Sequence, residues 1–265
     1  MRFQDQVAVI TAAGAGIGKA TAEIMVQEGA TVIAIDVDGS RLDALEAELS
    51  GAAGKLIPRL LDASDQALVS AAVGDIWQNH GRIDILVNAV GGSTIIAAPS
   101  ATVDELSFED WQKVIDFNLN ATFLFCNTVV PLMKQAGHGK IINLASIAGR
   151  GLSGASSSAY AAAKGGIIAF TKKLSHELGP SGINVNAIAP SLTLTERIRP
   201  HWDKRNAEQQ AREIERTPLR RVAEAGDQAR VIAFLASTDA DFVTGLTIDV
   251  TGGAGGEYKF KNGLD

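Results

Sequence analysis

Two residues of this chain have side chains suited to proton transfer, at a spacing that lets them act together. Tyr160 and Lys164 stand four positions apart in the alanine-rich run Ser157-Ser-Ala-Tyr-Ala-Ala-Ala-Lys-Gly-Gly-Ile-Ile-Ala-Phe170. On a helix such residues share one face, so the phenol and the ammonium group reach one ligand. A phenol titrates near ~10 in water, and a cation fixed beside it favours the phenolate and lowers that value. Tyr160 is thus a candidate general acid/base and Lys164 its electrostatic partner. The same spacing arises wherever a tyrosine and a lysine fall one helical turn apart, so the surrounding elements must decide.

Those elements follow a regular plan. Short β-branched runs alternate with longer amphipathic stretches, which predicts an α/β, Rossmann-like doubly wound parallel sheet of about seven strands with helices on both faces. Strands are expected over residues 7–11, 31–35, 55–61, 83–88, 140–144, 183–189 and 246–250. Helices are expected over 17–28, 40–49, 65–79 and 107–135, with Pro131 bending or ending the last. Pro58 cannot donate to a ladder, which places the third strand at a sheet edge. No linker or shift in composition divides the 265 residues, so a single domain over 1–265 is expected.

Other candidate residues cluster at the carboxyl ends of these strands, the edge where open parallel sheets hold ligands. After the first strand, Gly14, Gly16 and Gly18 surround Ile17 at the start of a helix, where backbone amides and the positive dipole end suit a phosphate. Asp36 ends the second strand, about 20 residues on, where a carboxylate accepts hydrogen bonds from a ribose diol and repels the extra phosphate of NADP. The pattern therefore points to NAD. Asp62 and Ala63 follow the third strand, where an adenine ring can rest; a helix N-cap also explains the acid. Asn88 ends the fourth strand, either holding the crossing point of sheet and cofactor or making a local turn. The connection over 93–106 is a candidate pocket wall. Asn118, inside a helix, needs partners for its amide, from a water or a neighbouring lysine. Ser146, just past the fifth strand, is preferred as a hydroxyl donor over Ser153, Ser156, Ser157 and Ser158 because it sits on a rigid element. Pro190, Thr193 and Thr195 follow the sixth strand.

Composition narrows the function. With 46% hydrophobic and 20% charged residues the balance is globular, and no apolar run approaches the ~20 residues that span a bilayer. A net charge of -6 offers no attraction for nucleic acid or an anionic membrane. Four histidines and one cysteine, Cys126, form no metal-ligand cluster, so no metal is expected. Met1 runs almost at once into the first strand, leaving no signal segment, and an unpaired cysteine suits a reducing compartment; a cytoplasmic location is expected.

Together these residues resemble the short-chain dehydrogenase/reductase family, from about Gln6 to Gly253. The family's Thr-Gly-x-x-x-Gly-x-Gly appears as Thr11-Ala-Ala-Gly-Ala-Gly-Ile-Gly18, its Asn-Asn-Ala-Gly as Asn88-Ala-Val-Gly91, and its Tyr-x-x-x-Lys as Tyr160 to Lys164. The resemblance implies a catalytic tetrad of Asn118, Ser146, Tyr160 and Lys164. It also implies hydride transfer between a small secondary alcohol and the nicotinamide of NAD, and a homotetramer. Tyr160 would move the hydroxyl proton, Ser146 hold the substrate oxygen, Lys164 stabilise the phenolate and bind ribose hydroxyls, and Asn118 position a water. Thr195 would contact the carboxamide. Four departures stand out. Ala12 replaces a glycine, so the turn there is expected to avoid positive φ. Ala89 and Val90 replace Asn and Ala, Ser191 replaces a glycine, and the gap from Ser146 to Tyr160 is one residue longer than the family's usual spacing.

Alternatives are a 3-oxoacyl thioester reductase, which usually runs on NADPH, and a non-catalytic NAD-binding regulator. The segment over 192–216 is the expected substrate lid, and it carries Arg197, Arg199, His201, Lys204, Arg205 and Arg212. These cations either meet an anionic substrate or pair with the interleaved Glu196, Asp203, Glu208 and Glu213. The tail beyond Glu257 either packs on a neighbouring subunit or frays.

Overall fold

Strands with no polar face must be covered on both sides, and the first strand sets this pattern. In a computed structural model, which describes residues 1–151, 153 and 156–255, β1 (Val7–Thr11) is buried at every position. Ala8 and Ile10 join the core on one face of the sheet, and Val7 and Val9 join the core on the other. The chain continues through α1 (Gly16–Gln27), β2 (Thr31–Asp36), α2 (Gly39–Glu48), β3 (Lys55–Leu60), α3 (Gln66–His80) and β4 (Ile85–Asn88). Next come α4 (Phe108–Ile115), α5 (Ala121–Ala136), β5 (Gly139–Leu144), α6 (Ser158–Leu178) and β6 (Ile183–Pro190). The last part holds β7 (Thr193–Leu194), α7 (Arg199–Asp203), α8 (Ala207–Arg216), β8 (Ala223–Glu224), α9 (Ala225–Ala236) and β9 (Thr247–Val250).

Seven of these strands form one parallel sheet in the order β3-β2-β1-β4-β5-β6-β9, while β7 and β8 make a separate pair. α1, α2 and α9 pack on one face through Met25, Leu42, Leu45 and Ile232, and α3, α5 and α6 on the other through Val73, Phe125 and Leu174. Chain order reverses between β1 and β4, so the turns that follow them open a crevice at the carboxyl edge. The expected doubly wound single domain is thus what forms. Pro58 lies on edge strand β3, opposite Ala34, as its missing N–H requires.

The helix expected over 107–135 is interrupted, though not at Pro131, which lies inside α5. The break is a π turn, Asp116–Asn120, between α4 and α5. Its cause is local: the Asn118 amide donates to the Val114 carbonyl at 2.9 Å, and the Thr122 hydroxyl donates to the Asn118 carbonyl at 3.0 Å. Side chains thus enter the backbone ladder where one extra residue is inserted. The helix α9, which has no counterpart among the expected elements, covers α1. Among the described residues no helix is long and apolar enough to cross a membrane. The tail expectation beyond Glu257 lies outside the described residues.

Candidate active site

The glycine turn after β1 brings two backbone amides to one end of the crevice. Gly16, at φ +59, opens α1, and a Cβ on Gly18 would collide with the Ala12 carbonyl, so the helix can lie this close to the strand only with glycine there. Ala12 itself adopts φ 51, contrary to the expectation that an alanine would force the turn out of the left-handed region. The Ala13 amide bonds the Ile35 carbonyl at 2.9 Å and holds this geometry, at a cost of about 1 kcal/mol for the alanine. Both open amides are met by carboxylates. Gly14 N–H donates to Asp36 Oδ2 at 2.9 Å, and Gly16 N–H donates to Glu196 Oε2 at 2.8 Å. The Glu196 oxygen stands where a phosphate oxygen would accept from the helix N-terminus. Thr11 links this turn to its neighbour, since its hydroxyl accepts from Ala89 N at 2.9 Å and Val90 N at 3.2 Å.

The other end of the crevice is built by α6. Ser157 caps the helix by accepting from Tyr160 N, and Ala159, Ala163 and Lys164 are buried. That register carries Tyr160 and Lys164 into one cavity of about 430 Å³, which also takes in Gly16, Asp36 and Ser146. Tyr160 packs against the buried cluster of Ile96, Val114 and Ala159, and from the connection over 93–106 Ser93 and Thr94 line the cavity. Lys164 Nζ lies 5.7 Å from the centre of that ring and donates to the Leu144 carbonyl at 2.7 Å.

Burial dominates the electrostatics of this pair. It pushes the Tyr160 phenol up from its ordinary value, with Ser146 and then Arg197 pulling it back. Lys164 is pushed down to about 7, by burial first and by the Arg197 cation second. The simple expectation that Lys164 lowers the Tyr160 pKa is therefore corrected: desolvation wins for both groups, and the lysine sheds much of its charge near neutrality.

The remaining expected residues divide into those that line the cavity and those that stand behind it. Ile17, Gly18, Asp62, Ala63, Pro190, Thr193 and Thr195 line it with Gly16, Asp36, Ser146, Tyr160 and Lys164. Gly14 does not, its amide being taken by Asp36. Asp62 is no N-cap: it accepts from Ser64 N at 2.9 Å, and Asp65 caps α3. Among the rival serines, Ser157 is consumed as the α6 cap. Asn88 points away from the crevice into a buried polar ladder, donating to Asn143 Oδ1 at 2.8 Å and Cys126 Sγ at 3.3 Å. Cys126 is accordingly a packing residue whose thiol burial pushes up to about 12. Asn118 finds its protein partners in backbone rather than in a lysine. Its Oδ1 accepts from Gly92 N at 2.9 Å and its Nδ2 donates to Gly92 O at 3.2 Å. It thereby fixes the loop after β4, where a Cβ on Gly91 would sit 2.7 Å from Lys164 Nζ.

Of the basic residues over 192–216, three arginines are paired. Arg199 bonds Glu224 at 2.8 Å, Arg212 bonds Glu208 at 2.6 Å, and Arg205 lies 3.6 Å from Glu213 and over the Trp202 ring. Arg197 alone of these arginines lines the cavity, donating to the Gly91 carbonyl at 3.0 Å. The positions of Glu196 and Arg197 escaped the sequence reading, because no local pattern says which residues of an irregular segment turn back toward a strand end far away in the chain.

Comparison with known proteins bears directly on this geometry. The family model described as Enoyl-(Acyl carrier protein) reductase matches residues 11–255. A 3-oxoacyl-[acyl-carrier-protein] reductase of Thermotoga maritima is 38% identical over 254 residues, covering 96% of this chain and 99% of the relative. The chain belongs to the short-chain dehydrogenase/reductase family. It is therefore an oxidoreductase of that type, with a crevice for a nicotinamide cofactor. A 2-dehydro-3-deoxy-L-rhamnonate dehydrogenase (NAD(+)) of a Sphingomonas species is 35% identical over 253 residues, covering 95% of this chain and 96% of the relative. A crystal structure of a 3-oxoacyl-[acyl-carrier protein] reductase with bound NAD from Brucella melitensis superposes with a TM-score of 0.84. It is 35% identical, and the match covers 96% of this chain and 94% of that one.

Proposed function

We propose that this short-chain dehydrogenase/reductase interconverts a secondary alcohol and a ketone with NAD, and that Tyr160 is its general acid/base. One observation carries the reading: Tyr160, Ser146 and Lys164 converge in a cavity that begins at the glycine turn. The turn fits a dinucleotide by its chemistry, since carboxylate oxygens already occupy the Gly14 and Gly16 amides. Gly16, Ile17 and Gly18 would hold the phosphates, Asp36 a ribose diol, Asp62 and Ala63 the adenine, and Pro190, Thr193 and Thr195 the nicotinamide end. The nicotinamide, when bound, accepts or donates the hydride. Tyr160 takes the hydroxyl proton of the alcohol, or returns it to the ketone oxygen. Ser146 hydrogen-bonds the same oxygen. Lys164, its pKa lowered by burial, would be favoured in its charged form beside bound anionic groups, and that charge then favours the Tyr160 phenolate. Asn118 acts as a positioning residue, holding Gly91 and Gly92 so that Lys164 stays beneath the loop.

Asp36 supports NAD over NADP. Arg41 also lines the cavity, yet its guanidinium is engaged by Asp38 at 3.0 Å, so Asp36 presents the uncompensated charge. Two relatives point the same way, one named for NAD(+) and one crystallised with NAD. A second reading, reduction of a 3-oxoacyl thioester, is favoured by the Thermotoga maritima relative. Titration with NADH and NADPH separates the two. A purely NAD-binding regulator has no use for a phenol, a hydroxyl and an amine gathered around one empty volume.

The segment over 192–216 is proposed as the substrate lid of the domain. Homotetramer assembly is supported by apolar groups exposed at two separate places, Phe123 on α5, beside the half-buried Phe170 of α6, and Phe242 and Leu246 beside β9. A cytoplasmic setting is supported by the unpaired, buried Cys126. The deciding experiment follows secondary-alcohol oxidation at the nicotinamide absorbance in wild type and Tyr160→Phe. Loss of turnover with NAD binding intact supports the reading, and near-normal turnover in the variant ends it.

A further inference from the structure

The chemistry proposed above asks for one cation beside Tyr160, and Lys164 supplies it. Arg197 brings a second. A Cβ on Gly92 would collide with the Arg197 guanidinium, and a Cβ on the preceding Gly91 would lie 2.7 Å from Lys164 Nζ. Two basic side chains thus stand over consecutive residues of one loop, and both line the cavity with Tyr160 and Ser146. The carboxylates on that cavity are engaged elsewhere. Asp36 and Glu196 accept from the glycine turn, and Asp62 accepts from Ser64. Among the described residues Arg199, Arg205 and Arg212 form ion pairs, whereas Arg197 forms none and bonds only the Gly91 carbonyl. The reactive end therefore carries the Arg197 charge, on a planar five-donor fork whose strongest natural partner is a carboxylate or phosphate. The field is felt by its neighbours, since Arg197 acts on both Tyr160 and Lys164.

We propose that Arg197 binds an anionic group on the substrate, so that the enzyme acts on a secondary alcohol or ketone bearing a carboxylate or phosphate near the reacting carbon. This rests on the oxidoreductase reading of the same site. Binding exchanges a neutral carbonyl partner for a charged one, and a hydrogen bond to a charged group is the stronger of the two. A neutral alcohol leaves the guanidinium on Gly91 and gains nothing from it.

The test compares three short-chain secondary alcohols, each oxidised with NAD: 3-hydroxybutyrate for the carboxylate, glycerol 3-phosphate for the phosphate, and 2-butanol as the neutral control. Wild type is expected to prefer one of the two anions. Arg197→Met is expected to lower kcat/KM for that anion by roughly ten- to a hundredfold, mainly through KM. The loss for 2-butanol is expected to be several-fold smaller, since Arg197 reaches that substrate only through its field on Tyr160 and Lys164, and NAD affinity stays in place. Arg197→Lys keeps the charge without the fork and restores part of the loss. Arg199→Met, at a residue paired with Glu224 outside the cavity, leaves the KM for the preferred anion unchanged. Equal losses for anionic and neutral alcohols overturn the inference. So does weaker NAD binding in Arg197→Met with the KM for the anion unmoved, which assigns the arginine to the cofactor. Turnover of 2-butanol alone overturns the inference and leaves the oxidoreductase reading standing, whereas NAD binding without turnover of any of the three overturns the reading beneath it.

Discussion

The two ends of the crevice are electrostatic opposites. At the glycine turn, the backbone N–H groups of Gly14 and Gly16 are met by the carboxylates of Asp36 and Glu196, which line the crevice. At the α6 end, the backbone carbonyls of Leu144 and Gly91 are met by the basic side chains of Lys164 and Arg197. The backbone thus writes the polarity first, donors at one end and acceptors at the other, and the side chains follow it. A bound molecule has to replace these internal partners, so the two ends answer differently to the loss of a charge. Removing a carboxylate from the donor end opens a site, while removing a cation from the acceptor end removes a tool.

The sharpest break of this comparison comes at the acceptor end. Tyr160→Phe deletes the proton-transfer group, and kcat is expected to fall by roughly a hundred- to ten-thousandfold while NAD binding, measured by protein fluorescence, is retained. Asp36→Ala acts at the donor end on cofactor choice. It is expected to shift the NAD to NADP preference by roughly ten- to a hundredfold toward NADP, read as the ratio of kcat/KM for the two cofactors.

Glu196→Gln is the test peculiar to this chain. The Gly16 amide keeps a neutral acceptor but loses a carboxylate from the start of α1, where such a charge contributes about 0.3–1 kcal/mol. NAD affinity is expected to rise by roughly two- to fivefold, and the thermal stability of the free enzyme to fall slightly. Movement of both in the same direction would show that Glu196 does not compete with the cofactor. Lys164 sharpens the contrast through pH. Its pKa falls from 10.5 in the unfolded chain to about 7 in the fold, so the unfolded state binds more protons between those values. Stability of the free enzyme should rise with pH across that window and not below it. Urea unfolding at several pH values should show this slope in wild type and lose it in Lys164→Met. Smallest of all, Ala12→Gly relieves the left-handed alanine but frees the unfolded chain, for a net gain of about 0.5 kcal/mol by urea unfolding.

Much of the fold was legible because it rests on local pattern. Apolar runs marked the strands, and Pro58 marked the edge because a missing donor is a chemical fact of the residue itself. Gly16 and Gly18 were legible for the same reason, since a close helix approach and a positive φ leave few other choices. The Tyr160 and Lys164 pair was legible from helical spacing. Asn88 misled, because a polar residue at a strand end can face the crevice or the sheet interior, and only the neighbouring Asn143 and Cys126 decide which. Asn118 misled in a subtler way: its partners are backbone atoms of a loop 26 positions away. The π turn was invisible because it arises from side chains that compete with the helical ladder.

From the residues alone came the layered sheet, the glycine turn, the acid at the end of β2 and the helix face with a phenol and an amine, for each of these depends on spacing within one element. Tertiary structure decided where Glu196 and Arg197 go, and that burial rather than the lysine governs the Tyr160 phenol. Both outcomes depend on how much water is excluded and which backbone groups face inward when distant segments close over one crevice, and no stretch of sequence carries that on its own.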